Sequence, residues 1–166
     1  MTQINELLTT YDRETAITRT LLQRLTNETL SWKPHPKSTS MEGLGRHLAH
    51  MFTWGLLSFT QSESDMNART PMPPTQTVED ILTAFDRNVV AVRSLIAKSS
   101  DKNLQEMWSL THDGQTIMTM SRSNVIYSMI LSHMIHHRGQ LSVYLRLNEI
   151  PVPSIYGPSA DEPMTP

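Results

Sequence analysis

Apolar residues recur at three- and four-residue intervals over four stretches of the chain, the pattern of helices that bury one face. The first stretch runs from about Ile4 to Leu25. It carries Ile4, Leu7, Leu8, Tyr11, Ile17, Leu21, Leu22 and Leu25 on one side, with Glu14, Thr15 and Thr18 interrupting the stripe at its middle. The second follows Thr39-Ser40-Met41-Glu42, a capping-box pattern in which the Thr and Glu side chains satisfy orphan N–H groups reciprocally. It continues through Leu44, Leu48, Met51, Phe52 and Trp54 to about Thr60. The third opens at the cap-like Thr77-Val78-Glu79-Asp80 and carries Val78, Ile81, Leu82, Phe85, Val89, Val92 and Ile96. The fourth, starting near Ser121 or Ser123, is the most strongly patterned, with Ile126, Met129, Ile130, His133, His137, Leu141, Tyr144 and Leu145. No stretch alternates as a strand over any length.

Breakers separate these segments. The prolines of Trp32-Lys33-Pro34-His35-Pro36 remove donors and restrict the residues before them, so this run is not helix interior. Thr70-Pro71-Met72-Pro73-Pro74 divides the second and third helices in the same way. Between Asp101 and Met120 lies His112-Asp113-Gly114-Gln115, where Asp-Gly between apolar runs is a signal for a short hairpin. The last residues, 151–166, hold five prolines and no period, which fits either an ordered wrap or a loose end. Four amphipathic helices in 166 residues predict an all-α four-helix bundle over residues 1–150, with the tail of residues 151–166 on or near it.

Composition narrows the function. With no cysteine, thiolate metal sites, a Cys nucleophile and disulfide staples are excluded. Fourteen Lys and Arg against sixteen Asp and Glu leave a net charge of −2, and with three Trp, four Tyr and three Phe the chain has little to offer nucleic acid. The N-terminus lacks a basic start and an apolar core, and the longest apolar run, near Met51 to Phe59, is far short of the ~20 residues of a membrane span. The expectation is a soluble cytoplasmic domain with a small-molecule substrate, bound to neither nucleic acid nor membrane.

Seven histidines are many for this length, and three fall in Ser132-His133-Met134-Ile135-His136-His137-Arg138. His133 and His137, four apart, are separated by about 40° of helix rotation and point the same way one turn apart. They replace apolar residues on the inward stripe, where bare imidazoles cost several kcal/mol unless paired or metallated. Two imidazoles at this spacing hold one cation, as in zinc-binding helices. A third ligand comes from the second helix, where His47 sits at the centre of the inward stripe. His50, about 60° to one side, is a supporting donor or a boundary residue, the latter being favoured. His136 belongs to another face, and His35 and His112 to solvated loops. No phosphate-binding glycine loop or nucleophile elbow is present. Carboxylates do not cluster inward as in di-iron bundles, and the methionines fit core filler.

Taken together, Trp32-Lys33-Pro34-His35-Pro36-Lys37-Ser38, Leu44-Gly45-Arg46-His47-Leu48-Ala49 and His133-x-x-x-His137-Arg138-Gly139-Gln140-Leu141 resemble the DinB-like superfamily of damage-inducible, metal-dependent proteins. Tyr156-Gly157-Pro158-Ser159-Ala160-Asp161-Glu162 is similar to the C-terminal signature of one branch. The resemblance spans nearly the whole chain, and the His-x-x-x-His-Arg-Gly-Gln-Leu element is its specific part. It implies a bundle of up-up-down-down topology, frequently a homodimer, with zinc or nickel at His47, His133 and His137. Some members transfer low-molecular-weight thiols such as bacillithiol or mycothiol.

The resulting expectation is a metal-dependent thiol transferase or hydrolase, in which three neutral imidazoles leave an open coordination position and a thiol or water acidified there is the nucleophile. The rival is a non-catalytic bundle that binds a metal or small molecule, or a stress-related interaction protein. Tyr144, one turn down the stripe, and Glu14 are the candidate catalytic groups, with Glu14 and Thr18 expected at a polar end of the bundle. Arg138 and Gln140 are expected at the surface or in interhelix hydrogen bonds rather than on substrate, while Tyr156 and Asp161 are expected to cover the metal. Met129, Ser132, His136, Gln140 and Val143 form a second stripe suited to two-fold packing.

Overall fold

The computed structural model describes residues 2–68, 73 and 75–163. Of the proline run predicted to divide the second and third helices, only Pro73 lies within the described residues. Helix α1 spans Gln3–Leu22 and is capped by Thr2, whose hydroxyl accepts from the Asn5 N–H at 3.4 Å. The second apolar stretch forms two helices, α2 (Met41–His50) and α3 (Thr53–Thr60). The hydroxyl of Ser40, not Thr39, caps α2 by accepting from Gly43 N–H at 3.1 Å, which frees Glu42 to pair with Arg46 one turn on. The break falls at Met51–Phe52, just where the Thr53 hydroxyl donates to the His50 carbonyl at 2.9 Å. Helix α4 (Val78–Ala97) opens with the full Thr77–Asp80 capping box, and α5 (Asp101–Leu104) is a single turn. The last stretch is one continuous rod: α6 (Arg122–Asn124), a π-helical segment (Val125–Ser132) and α7 (His133–Leu147).

A three-stranded sheet corrects the all-α expectation. Strand β1 (Glu63–Asp65) pairs parallel with β2 (Met107–His112), which pairs antiparallel with β3 (Gln115–Ser121). The Asp113-Gly114 signal is a true two-residue hairpin, with both residues at positive φ (50° and 74°) as a type I′ turn requires. The alternation is too short to stand out: Trp108 and Leu110 on β2, Met118 and Met120 on β3. These side chains close a second small core with Trp54 and Val125. The indole of Trp108, fully buried, donates to the Ser64 hydroxyl at 3.2 Å and so ties β2 to β1 through side chains as well as backbone.

Contacts set the helix directions. Along α1 and α4 the numbers run oppositely: Arg19 pairs with Asp86, and Arg93 with Asp12. Along the α2–α3 pair and α4 they rise together: Gly45 lies on Ile81, the Asn88 amide donates to the Ala49 carbonyl, and Gly55 lies on Val92. Against the final rod they run oppositely again, Gly55 meeting Ile126 and Ile130 while His47 meets His133. The bundle is therefore up-down-down-up, not the up-up-down-down order that the resemblance implied. Because α3 and α4 are parallel neighbours, the chain between Thr60 and Val78 has to return the length of α4. Gly55 allows α3 its close approach, since a Cβ there would stand 2.7 Å from Ile130 Cδ1. The main core is continuous through all four layers, with Leu7, Tyr11, Leu21, Leu48, Phe52, Ile81, Phe85, Ile130 and Leu141 among its buried residues.

Residues 151–163 fold back on the bundle. Asp161 pairs with Arg146 and accepts from the Val152 N–H at 2.8 Å. Glu162 pairs with Arg24 and accepts from the Ser154 N–H at 2.8 Å. No helix among the described residues is long and apolar enough to cross a membrane.

Candidate metal centre

Helix α2 presents His47 beside its buried Leu44 and Leu48, facing α7 across the bundle. Helix α7 begins at His133 and carries His137 one turn on, so its own geometry sets both rings on one side. The three side chains converge. His133 Nε2 lies 3.3 Å from His47 Nε2 and 2.8 Å from His137 Nε2, and one ring nitrogen of each lies within 4.8 Å of the other two. All three are half-buried.

This cluster fits a cation by its donor chemistry. His133 Nε2 offers either one proton or one lone pair, so it cannot pair fully with both His47 Nε2 and His137 Nε2. A tetrahedral ion with N ligands at ~2.0–2.1 Å sets its ligand nitrogens about 3.4 Å apart, close to the His47–His133 separation. His137 Nδ1 lies 2.7 Å from the Gln140 carbonyl oxygen, which as an acceptor takes the Nδ1 proton. That leaves the Nε2 lone pair of His137 directed at the cluster, the tautomer a metal ligand needs. Burial pushes the His137 imidazole below its ordinary pKa, and the neighbouring His133 and His136 add to this against the opposing bond to Gln140. The neutral form that ligates is thus favoured.

The remaining candidates lie elsewhere. His50 turns from α7 towards α4 and lines a cavity of about 430 Å³ with Thr83, Ala84 and Arg87. It is buried with no hydrogen-bond partner for Nε2 among the described residues, and burial, then Arg87 and Arg46, lower its pKa. His136 is exposed, its ring against that of His137 at 4.9 Å between centroids. Tyr144 packs edge-on against Trp32 at 5.5 Å, in the proline loop. His35 accepts from the Lys37 N–H, and His112 sits beside Asp113 in the hairpin turn.

Glu14 is not at a polar end of the bundle. It is 1% exposed and paired with Arg138, also 1% exposed, at 2.8 Å. Arg138 further donates to the Glu14 carbonyl and the Thr18 hydroxyl, both at 3.2 Å, so the interruption of the α1 stripe is the seat of an arginine from α7. The Tyr156 hydroxyl completes the group, donating to Glu14 Oε2 at 2.6 Å and accepting from Arg138 Nη2 at 2.5 Å. Burial raises the Glu14 pKa, but the hydrogen bonds from Tyr156, Arg138 and Arg13 outweigh it and hold the carboxyl below its usual range. The polar contacts of Tyr156 and Asp161 thus go to this pair and to Arg146, rather than over the histidines. The polar gap in α1 and the arginine after His137 were both visible in the sequence. Separated by 124 residues of chain, they are joined only by the packing of α7 on α1.

Fold and cluster together define a mostly helical bundle with a three-histidine group that could hold a metal ion between two of its helices. A family model described as the DinB family matches residues 1–165, and the chain belongs to that family. A curated relative, the uncharacterized protein YrdA of Bacillus subtilis (strain 168), is 27% identical over 163 residues, covering 96% of this chain and 91% of the relative. Among solved structures, a DinB-like protein from Bacillus cereus ATCC 10987 is similar at 26% identity with a TM-score of 0.69, over 94% of this chain and all of that one. A DinB-like protein of Bacillus subtilis, YjoA, shares the fold at 17% identity and a TM-score of 0.68, over 88% of this chain and 95% of that one.

Proposed function

We propose that this protein is a metal-dependent enzyme that takes a divalent zinc or nickel ion at His47, His133 and His137 and acts on a small electrophilic substrate. The reaction is transfer of a low-molecular-weight thiol of the bacillithiol or mycothiol kind, or hydrolysis. The observation that carries the reading is the gathering of the three rings: His133 Nε2 lies 3.3 Å from His47 Nε2 and 2.8 Å from His137 Nε2, with one ring nitrogen of each within 4.8 Å of the other two. A divalent ion held only by neutral imidazoles keeps its full charge and lowers the pKa of a thiol or water bound to it. The chain's own part is to present the lone pairs: Gln140 fixes the His137 tautomer, and α7 carries His133 and His137 as a rigid pair. Elemental analysis of protein made without an affinity tag, followed by a screen of thiols against electrophiles, tests this. The expected result is about one divalent ion per chain and a turnover lost on chelation and in His133→Ala. Failure to retain or take up any divalent ion refutes the site, and a loaded protein inert across the screen refutes the reaction.

One observation favours a second reading, a non-catalytic bundle that binds metal or a small molecule. Glu14 is tied to Arg138 and Tyr144 packs on Trp32, so neither candidate catalytic group is directed to the histidines by the contacts it makes. The same screen separates the two. We further propose a homodimer in the cytoplasm, supported by a face of the last rod, Ser132, His136, Gln140 and Val143, that the chain leaves exposed.

A further inference from the structure

The buried pair of Glu14 and Arg138, with the tail hydroxyl on it, joins α1 to the helix that carries two of the three histidines, Arg138 following His137 directly in the chain. We propose that Glu14, Arg138 and Tyr156 are positioning residues that fix the rotation and height of α7, so that docking of the C-terminal tail is coupled to metal affinity. The inference rests on reading His47, His133 and His137 as metal ligands.

The need for such a device comes from the segment before α7. Val125–Ser132 is π-helical, and the Ser132 hydroxyl donates to the Tyr127 carbonyl five residues back at 2.9 Å. A π-turn takes in more residues than the 3.6 of an α-turn, so the α-helical period alone does not fix the rotation of α7 across this segment, although Ile126, Ile130 and His133 all face the α2–α3 side. Contacts made by α7 itself therefore bear on it. The tolerance is narrow, since metal–ligand distances hold to about 0.2 Å, whereas one residue of helix advance is about 1.5 Å and 100°.

Arg138 has the geometry for this task. It is the next residue after His137, so whatever holds its side chain holds the ring beside it. Its planar fork makes four contacts: Nη1 to the Glu14 carbonyl and the Thr18 hydroxyl, Nη2 to Glu14 Oε2 and the Tyr156 hydroxyl. Two are to side chains one turn apart on α1 and one is to the α1 backbone itself, so the fork registers both the height and the rotation of α7 against α1. Lysine, with a single point charge on a flexible stem, does not reproduce such a fork.

Tyr156 brings the tail into the same group. Its ring lies under the Arg138 guanidinium, 4.9 Å from centroid to Cζ, and its hydroxyl bridges the two charges. The segment that delivers it is braced by Arg146–Asp161 at the end of α7 and by Arg24–Glu162 beyond the end of α1. A tail that docks with one placement of α7 favours that placement, and by linkage an ion that favours it tightens the tail in the same ratio.

The experiment uses the full chain with Tyr156→Phe, which keeps the ring and removes only the hydroxyl, and Arg138→Lys. Zn²⁺ affinity is measured by competition with a chromophoric chelator, and amide exchange over residues 152–162 with and without Zn²⁺. Ile96→Val, in the α4 core away from this group, is the control for plain loss of stability. The expected result is a Zn²⁺ affinity weaker by about fivefold or more in Tyr156→Phe, the low end of ordinary coupling between sites. Ile96→Val should stay within about twofold of wild type, and Zn²⁺ should slow exchange of the tail in wild type but not in Tyr156→Phe. If Arg138→Lys fails to fold, Tyr156→Phe and the exchange measurement still decide. Affinity in Tyr156→Phe equal to wild type, or weakened only in step with stability as in Ile96→Val, overturns the coupling. Wild-type protein that binds no Zn²⁺ overturns the ligand reading instead, and this inference with it.

Discussion

Removing the metal should lower the melting temperature by an amount the geometry allows to be worked out. The His47–His133 nitrogen separation of 3.3 Å already suits a tetrahedral ion, and His133 and His137 need only part from 2.8 Å to about 3.4 Å, so little native-state rearrangement opposes binding. An ion that binds the folded state alone stabilises it by about 4 kcal/mol at a thousandfold excess over Kd. For a chain of 166 residues each kcal/mol moves the midpoint by about 2–4 °C, giving an expected rise of about 8–16 °C. Calorimetry on chelator-dialysed protein at pH 7.5, titrated with Zn²⁺ or Ni²⁺, measures it. His133 stands between the other two rings and is only half-buried, so His133→Ala should abolish the shift while leaving the metal-free midpoint within a few degrees of wild type. The shift should fade below about pH 6, where protonated imidazole cannot ligate. Identical curves for demonstrably loaded and metal-free wild type, or an undiminished shift in His133→Ala, would refute the reasoning.

Arg138→Met should cost about 3–5 kcal/mol in urea unfolding, because Glu14 is then buried without its partner, and adding Glu14→Leu should recover a large part of that loss. His50 is neutral in the fold and its pKa is depressed there, so the unfolded chain binds the extra proton and stability falls as pH drops below about 6.5. His50→Leu should flatten that slope between pH 7.5 and 5 in metal-free protein; an unchanged slope would remove His50 as its source. Gly55→Val should destabilise by about 1–3 kcal/mol, since even a Cβ meets Ile130 at 2.7 Å and Val92 at 3.2 Å. Sedimentation at micromolar concentration tests the homodimer: a species of 18.9 kDa would count against it.

Periodicity, turn chemistry and i,i+4 spacing are local quantities, and what they govern was legible from the residues alone. The helical stretches, the Thr77 cap and the Asp113-Gly114 turn belong here. So do the three histidines, since a polar ring on a buried stripe is an anomaly visible without knowing what faces it. The break at Met51–Phe52 was not legible, because the apolar period runs straight through it. Nor was the sheet, where β1 pairs with β2 across more than forty residues and each strand shows only a brief alternation. Helix direction depends on which faces meet, and a stripe is equally apolar read up or down. Glu14 shows the limit most clearly. Its place on the α1 stripe marked an anomaly and led to the expectation of a polar bundle end, but an anomaly on one helix does not name its partner, and only the packing of α7 and the return of the tail brought Arg138 and Tyr156 to a buried Glu14.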